Sequence, residues 1–385
     1  MTAAPPNAVL STFSNAADEE VAAAELAAKL KNPNLGFVLF FCSVEYDLDR
    51  LGAAMRDNFM GIPMSGCTSC GEITSKGYDQ GSIVAIGFDR RLFTVSQKLV
   101  ENVDSFGLLD AQQLVDGLLT ECSEGMTESP AEHNTFVLTL MDGLSVNEEM
   151  VLATLNSALG SIACFGGSAG DEYRLSGTYV YSDGGFTSEA ATVIMISTSL
   201  DFEVFSTHHL IPEKTKFVVT SADPEKRTVY ELNAEPAAKA YARLIGVSVE
   251  ELDDMTFACS PLAVRINDGY YARSIQRVND DLSLTFYCAV ENGIVLTAMK
   301  TDSLLDDLET KLSAIERRMG PSWLTIGCDC CMRYAQIESE GMVDQASALL
   351  RRYGVIGFST YGEHVDGMHL NHTLTGVVIG QRNRL

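Results

Sequence analysis

The 385-residue sequence has no stretch near the roughly 18 consecutive apolar residues that a membrane-spanning helix needs. It is also poor in basic charge: 27 Lys and Arg stand against 52 Asp and Glu, a formal net charge of -25. Such a surplus of acid opposes approach to phosphate backbones and to anionic membrane surfaces, so neither nucleic acid nor membrane is an expected partner. The acids are scattered over positions such as Asp18 to Glu20 and Asp302 to Glu309, as on a solvated surface. The opening residues, Met1-Thr2-Ala3-Ala4-Pro5-Pro6, lack the positive flank and apolar core of a secretory signal, and a cytoplasmic location is the expectation. No Walker lysine loop, His-Glu-x-x-His pair, low-complexity tract or coiled-coil heptad is present. Without a signal sequence the ten cysteines read as free thiols, and Cys42, Cys164, Cys259 and Cys288, inside apolar runs, read as core.

What the sequence does have is an internal repeat. Three turns, Gly66-Cys67-Thr68-Ser69-Cys70-Gly71-Glu72, Gly166-Gly167-Ser168-Ala169-Gly170-Asp171 and Gly357-Phe358-Ser359-Thr360-Tyr361-Gly362-Glu363, each open on glycine and end on a Gly-acid pair. The flanks repeat too. Apolar runs Phe37 to Cys42, Phe136 to Leu140 and Trp323 to Gly327 read as strands, and Leu48 to Met60, Asn147 to Leu159 and Met342 to Tyr353 read as helices. Each helix stops at a glycine, Gly61, Gly160 or Gly354, where a left-handed residue is predicted. Ser82 to Phe88, Ala191 to Ile196 and Thr373 to Gly380 follow as β-branched strands. The unit is strand, helix, strand, turn, strand. A helix-like run from Tyr230 to Ile245 and the segment Phe257 to Arg273 read as a degraded fourth copy.

The length exceeds that of one hydrophobic core, so two domains are expected. A boundary is predicted between His208 and Arg227, where Pro212-Glu213-Lys214 and Asp223-Pro224-Glu225-Lys226-Arg227 concentrate proline and charge. Ala16 to Leu30 reads as a helix. Strands Tyr270 to Val278, Leu282 to Val290 and Gly293 to Met299 follow through two hairpin signals, which makes the sheets mixed. The fold class is α/β, two related domains whose mixed sheets are covered by helices.

Glycine-rich turns expose backbone N–H groups beside carboxylates and hydroxyls, a chemistry suited to a zwitterion. Thr68, Glu72, Ser168, Asp171, Thr360 and Glu363 are the first candidates, with Arg333 a partner for a carboxylate. The competing reading is that the acids only bond neighbouring backbone amides. Cys67, Cys70, Cys328, Cys330 and Cys331 are metal candidates on paper, but adjacent cysteines serve one tetrahedral site poorly, so neither a metal nor a cluster is expected. Cys67, His369 and Glu363 can be drawn as a thiol triad only if they meet. Gly166 to Gly170 matches Gly-x-Ser-x-Gly, yet a β-rich hairpin follows where a nucleophile elbow needs a helix. The chain is not expected to be an enzyme.

The first turn, the stretch Met141-Asp142-Gly143-Leu144-Ser145 with Glu148-Glu149, the second turn, and Tyr361-Gly362-Glu363 with His369-x-Asn371-x-Thr373 together resemble the FIST sensory family. The resemblance implies an amino-terminal FIST domain over 20–220 and a carboxy-terminal one over 225–380. It adds Cys67, Asp142, Gly167, Tyr361, His369 and Asn371 to the ligand-binding candidates. It implies a small-molecule ligand, amino acids being one suggestion, and a partner such as a histidine kinase or cyclic-diguanylate enzyme in a two-component or related system, with a homodimer an open question. One branch of the family is described as haem-binding nitric-oxide sensors. The hairpin Thr178 to Ala190, the first place to look for a haem ligand, has no histidine here, only Tyr179 and Tyr181.

Overall fold

A computed structural model describes residues 9–124, 130–182, 184–267 and 269–380; the opening residues 1–6 discussed above for a signal lie outside them. Three copies of one pattern build most of the fold. In the first, strand Val9–Ser14 and helix Glu19–Leu30 lead into strand Leu35–Cys42, helix Leu48–Asn58 and strand Met64–Thr68. A short hairpin, Glu72–Thr74 with Gly77–Asp79, precedes the closing strand Ile83–Asp89. The second copy runs from strand Phe93–Val100 and helix Leu108–Glu124 through strand Thr135–Met141, helix Glu148–Leu159 and strand Ala163–Ser168. It ends with hairpin Val180–Ser182 and Gly185–Thr187 and strand Ala191–Thr198. The third opens with strand Asp201–Ser206 and, after an insertion over 207–303, resumes with helix Leu304–Met319 and strand Ser322–Cys330. Helices Cys331–Ser339 and Val343–Arg352, strand Val355–Thr360, hairpin Glu363–Val365 with Met368–Leu370, and strand Leu374–Gly380 complete it.

The glycines have two different duties. Gly61, Gly160 and Gly354 adopt φ of 79°, 64° and 61°, the left-handed helix ends that the sequence predicted. The first glycine of each turn instead lets two parallel strands close up. Gly66, Gly166 and Gly357 face Phe40, Thr139 and Gly327 in register, and a Cβ on them would lie 2.3, 2.0 and 1.7 Å from the facing carbonyl oxygens.

Each copy gives its hairpin away. Glu72 of the first copy pairs with Phe358 of the third, Glu363 of the third with Gly167 of the second, and Val180 of the second with Cys67 of the first. The exchange is cyclic and locks three six-stranded sheets together. Their inner faces share one core, in which Phe41 stacks on Phe358 at 4.3 Å between centroids alongside Phe136, Phe165 and Ile326. Helices cover the outer faces, so the central strands are buried on both sides, as their near-continuous apolar runs require.

The insertion is a lobe with its own core, built on Phe217, Leu232, Tyr241, Phe257, Phe286 and Leu296. All its strand pairings are antiparallel, so it is not the fourth copy read from the sequence. Tyr230 belongs to strand Thr228–Leu232, and only Ala237–Ile245 is helical, ended by left-handed Gly246. The charged stretch read as a boundary forms the long strand Leu210–Asp223 and the turn Pro224–Lys226. Of the two hairpin signals, Asn279-Asp280 joins the paired strands Ile275–Val278 and Leu284–Phe286. Strand Val295–Thr301 pairs elsewhere, with Leu262–Ile266 and Leu210–Asp223. Cys259 is exposed rather than core. Among the described residues no helix is long and apolar enough to cross a membrane.

Candidate functional site

The exchange of hairpins draws the three turns together at one end of the sheets. Cys70 N–H donates to the Ser359 carbonyl, Ser168 N–H to the Gly362 carbonyl and Gly170 N–H to the Thr68 carbonyl, at 2.9, 2.8 and 3.0 Å. Their acids, however, are taken up locally. Glu72 accepts from the Ser69 hydroxyl and from Ser82 N–H and Oγ at 3.1 and 2.7 Å. Glu363 repeats this with Thr360 Oγ1 at 3.0 Å and Thr373 N–H and Oγ1 at 3.1 and 2.8 Å. Burial pushes the Glu72 carboxyl up to about 7 and raises that of Glu363 well above its usual range. Asp171 accepts from three backbone N–H groups, Leu175, Ser176 and Gly177, and from the Tyr361 hydroxyl; against the effect of burial, these donors lower its pKa. Asp142 likewise accepts from Leu144 N–H, Glu189 N–H and the Thr178 hydroxyl, and Thr68 Oγ1 from Tyr179 N–H. Gly167 has no room for a side chain: a Cβ would lie 2.7 Å from Thr360. These groups are taken up by donors of the protein itself, Glu72 and Glu363 within their own turns and strands and Thr68 and Asp171 also across copies, and the three acids do not form a shared zwitterion pocket.

Ser168 and His369 lie elsewhere in the network, at a buried centre that the sequence reading did not assemble. The hairpin of the third copy lays His364 and His369 opposite one another, ring centroids 5.9 Å apart, over the end of strand Ala163–Ser168. Ser168 Oγ lies 2.9 Å from His364 Nε2, across 196 residues of sequence, and also contacts Glu148 Oε1. His364 Nδ1 is 2.9 Å from Thr139 Oγ1, which itself donates to the Phe165 carbonyl at 3.4 Å. That chain assigns the ring proton to Nδ1 and leaves a lone pair on Nε2. Burial holds the His364 pKa well below its usual value, so the ring is neutral.

Glu148 and Glu149 occupy the first turn of helix Glu148–Leu159, where the helix dipole favours anions. Arg227 reaches them from the inserted lobe, 2.9 Å from Glu148 and 2.7 Å from Glu149. The lobe also donates Ala289 N–H to Glu149 at 2.7 Å. Although burial works against charge on both groups, the two carboxylates raise the Arg227 pKa, and His369 with Arg227 holds Glu149 well below its usual range. The Glu148-Glu149 pair was visible within a motif, but nothing local marked Thr139 or Arg227.

A second cluster holds the remaining candidates. Arg333 is fully buried; its Nε donates to Asp329 at 2.6 Å and its Nη1 lies 3.4 Å from His209 Nδ1, while Nη2 has no hydrogen-bond partner. Nearby His372 is 1% exposed, has left-handed φ of 57°, and leaves both ring nitrogens without a partner. Burial and the Arg333 charge lower its pKa to about 3. His372, Asn371 and Thr373 wall a cleft of about 20 Å³ against Tyr270, Tyr271 and Ala272 of the inserted lobe. Asn371 ties the two parts: its Oδ1 accepts from Ser274 N–H at 3.1 Å and its amide donates to the Tyr361 carbonyl at 3.2 Å.

The five cysteines divide between two places. Cys67 and Cys328 lie in the central apolar core, while Cys70, Cys330 and Cys331 pack with Tyr287 and Tyr361 beneath the inserted lobe. Burial raises the thiols of Cys67 and Cys328, which keeps them protonated and poor nucleophiles. Among the described residues, a cleft at His372 and a groove at His208 and His209 do not fit a haem. The one at His372 has room for about one water, and the groove of about 390 Å³ at His208 and His209 is lined by Asp302, Asp306 and Asp307, whose charge opposes haem propionates. Tyr181 is enclosed between Phe40 and Phe186 at 4.9 and 5.1 Å.

Among curated proteins nothing matches the chain. Similar solved structures include the crystal structure of cyanuric acid hydrolase from A. caulinodans, aligned over 97% of this chain and 99% of that one at 10% identity, with a TM-score of 0.37. The FIST N domain matches residues 36–235 and the FIST C domain residues 237–366. Together these cover most of the sequence, and the chain belongs to the FIST family, whose domains are associated with sensing in signal transduction.

Proposed function

We propose that the chain is a cytoplasmic sensor of a small carboxylate-bearing ligand, an amino acid being one such molecule, and that it passes its state to a separate histidine kinase or cyclic-diguanylate enzyme. The observation that carries this reading is His372, a buried residue in a strained backbone conformation whose ring nitrogens are both unpartnered at the cleft between the three-sheet body and the inserted lobe. Buried polar groups are ordinarily paired, and strain is retained where it serves function. A carboxylate reaching the cleft would accept from His372, and the Arg333 charge that already acts on His372 would favour it, with the unpartnered Nη2 a donor once the cleft opens. The cleft is smaller than any such ligand, so binding requires the lobe to move away from Tyr270 and Tyr271, and a ligand that binds the opened form shifts the population toward it.

Thermal unfolding against a panel of amino acids and small carboxylates tests this. A true ligand at a hundredfold excess over its Kd stabilises by about 2.7 kcal/mol, and Arg333→Met or His372→Ala abolishes the effect. The ligand is recovered unchanged, because the reading is binding without turnover. No stabilisation by any member of the panel, or equal stabilisation of both variants, rejects the site and leaves a scaffold.

A further inference from the structure

We propose that Glu148, His364 and His369 hold a divalent first-row transition-metal ion. Their three donor atoms lie within 4.8 Å of one another, and all three residues are buried. Ligands 2.0–2.2 Å from one ion sit at most about 4.4 Å apart, so a small rotation of one ring closes the set. The inference uses none of the residues assigned to the carboxylate cleft and stands without the sensing role.

The argument is one of unmet acceptors. Glu148 Oε1 and the Nε2 lone pair of His364 share a single hydroxyl proton, that of Ser168. His369 is enclosed, its side chain 1% exposed, and neither ring nitrogen has a hydrogen-bond partner. Nε2 faces Glu148 Oε1 at 3.8 Å and Nδ1 faces Glu149 Oε1 at 3.6 Å, both beyond hydrogen-bond length. Acceptors thus converge on one hydroxyl proton and on an imidazole held beyond hydrogen-bond length, and two glutamates share the Arg227 guanidinium and the proton that His369 carries. A cation resolves both deficits.

The surroundings are those of a metal site. Thr139 holds Nδ1 of His364, the kind of outer partner that orients a ligating imidazole, and Glu149 faces Nδ1 of His369 at 3.6 Å, close enough to become one as the ring turns to the metal. Arg227 occupies Glu148 Oε2 and leaves Oε1 to the centre. Two imidazoles and a carboxylate suit zinc, iron, cobalt or nickel and exclude the all-oxygen shells of calcium and magnesium. Gly362 makes room, since a Cβ there would lie 1.7 Å from His369 Nε2.

The test is titration of chelator-treated full-length protein with Co²⁺. The expected result is one equivalent with visible ligand-field absorption and a raised melting temperature, both displaced by Zn²⁺. His369→Ala and Glu148→Gln should weaken it by more than the roughly 10–100-fold that loss of an outer partner costs. His208→Ala, outside the cluster, should retain it. Should the variants misfold, X-ray absorption of cobalt-loaded wild type decides, with scattering from two imidazoles expected. Oxygen-only scattering, binding unchanged in folded His369→Ala, or no bound equivalent overturns the proposal.

Discussion

The imidazole of His369 occupies the space that a side chain on Gly362 would need, Nε2 lying 1.7 Å from where a Cβ would stand. The glycine of the third Gly-acid pair is therefore tied to a histidine seven positions on. Gly362→Ala must displace the ring or the turn. It is expected to destabilise by about 1–3 kcal/mol, the usual cost of overpacking, in urea unfolding, and to shift the His369 imidazole resonances.

Arg227 is the charge by which the inserted lobe meets the body. Arg227→Met leaves buried Glu148 and half-buried Glu149 without this counter-charge, and a loss of about 3–5 kcal/mol is expected. Adding Glu149→Gln should recover part of it, which a double-mutant cycle in denaturant measures.

Glu72 carries a pH dependence of unusual sign. Burial raises its folded pKa to about 7, above the value near 4.5 of an exposed glutamate, so the folded state holds the proton longer. Its contribution is therefore intact below about 4.5, falls as pH rises to about 7, and is absent above. Glu72→Gln should stabilise the protein at pH 8, by up to on the order of 3 kcal/mol, and leave it unchanged at pH 4. Unfolding free energies at the two pH values check this; equal effects at both reject it.

Thiol chemistry should distinguish one cysteine from the rest. Cys259 is exposed and the other nine are buried. A thiol reagent is expected to label one cysteine rapidly in native protein and ten after denaturation, and Cys259→Ser should remove the rapid phase.

Haemin added to the purified protein is expected to give no stoichiometric Soret band at the cleft of His372 or the groove of His208 and His209, the one too small and the other too acidic for it. A saturable band would locate a haem site outside them.

The repeat, the glycine ends of its helices and its buried strands were legible in the sequence because each rests on contacts within a few residues. Gly160, directly after Leu159, takes φ of 64° at the end of its helix. The α/β class followed from those patterns, and the family from the resemblance carried by the turn motifs with Met141 to Glu149 and His369 to Thr373. Tertiary structure alone decided that the hairpins are exchanged, since any of the three sheets offers a hairpin the same backbone edge and only the closed packing of all three selects among them. It also decided which polar groups are satisfied. Glu72, Asp171 and Glu363 looked like ligand groups until their own loops were seen to supply the donors. His369 looked like one motif position among several until its ring was found enclosed and unpartnered beside Glu148 and His364. A sequence shows which residues can donate, accept or coordinate; whether a group is already paired depends on neighbours that lie hundreds of residues away and meet only when the chain folds.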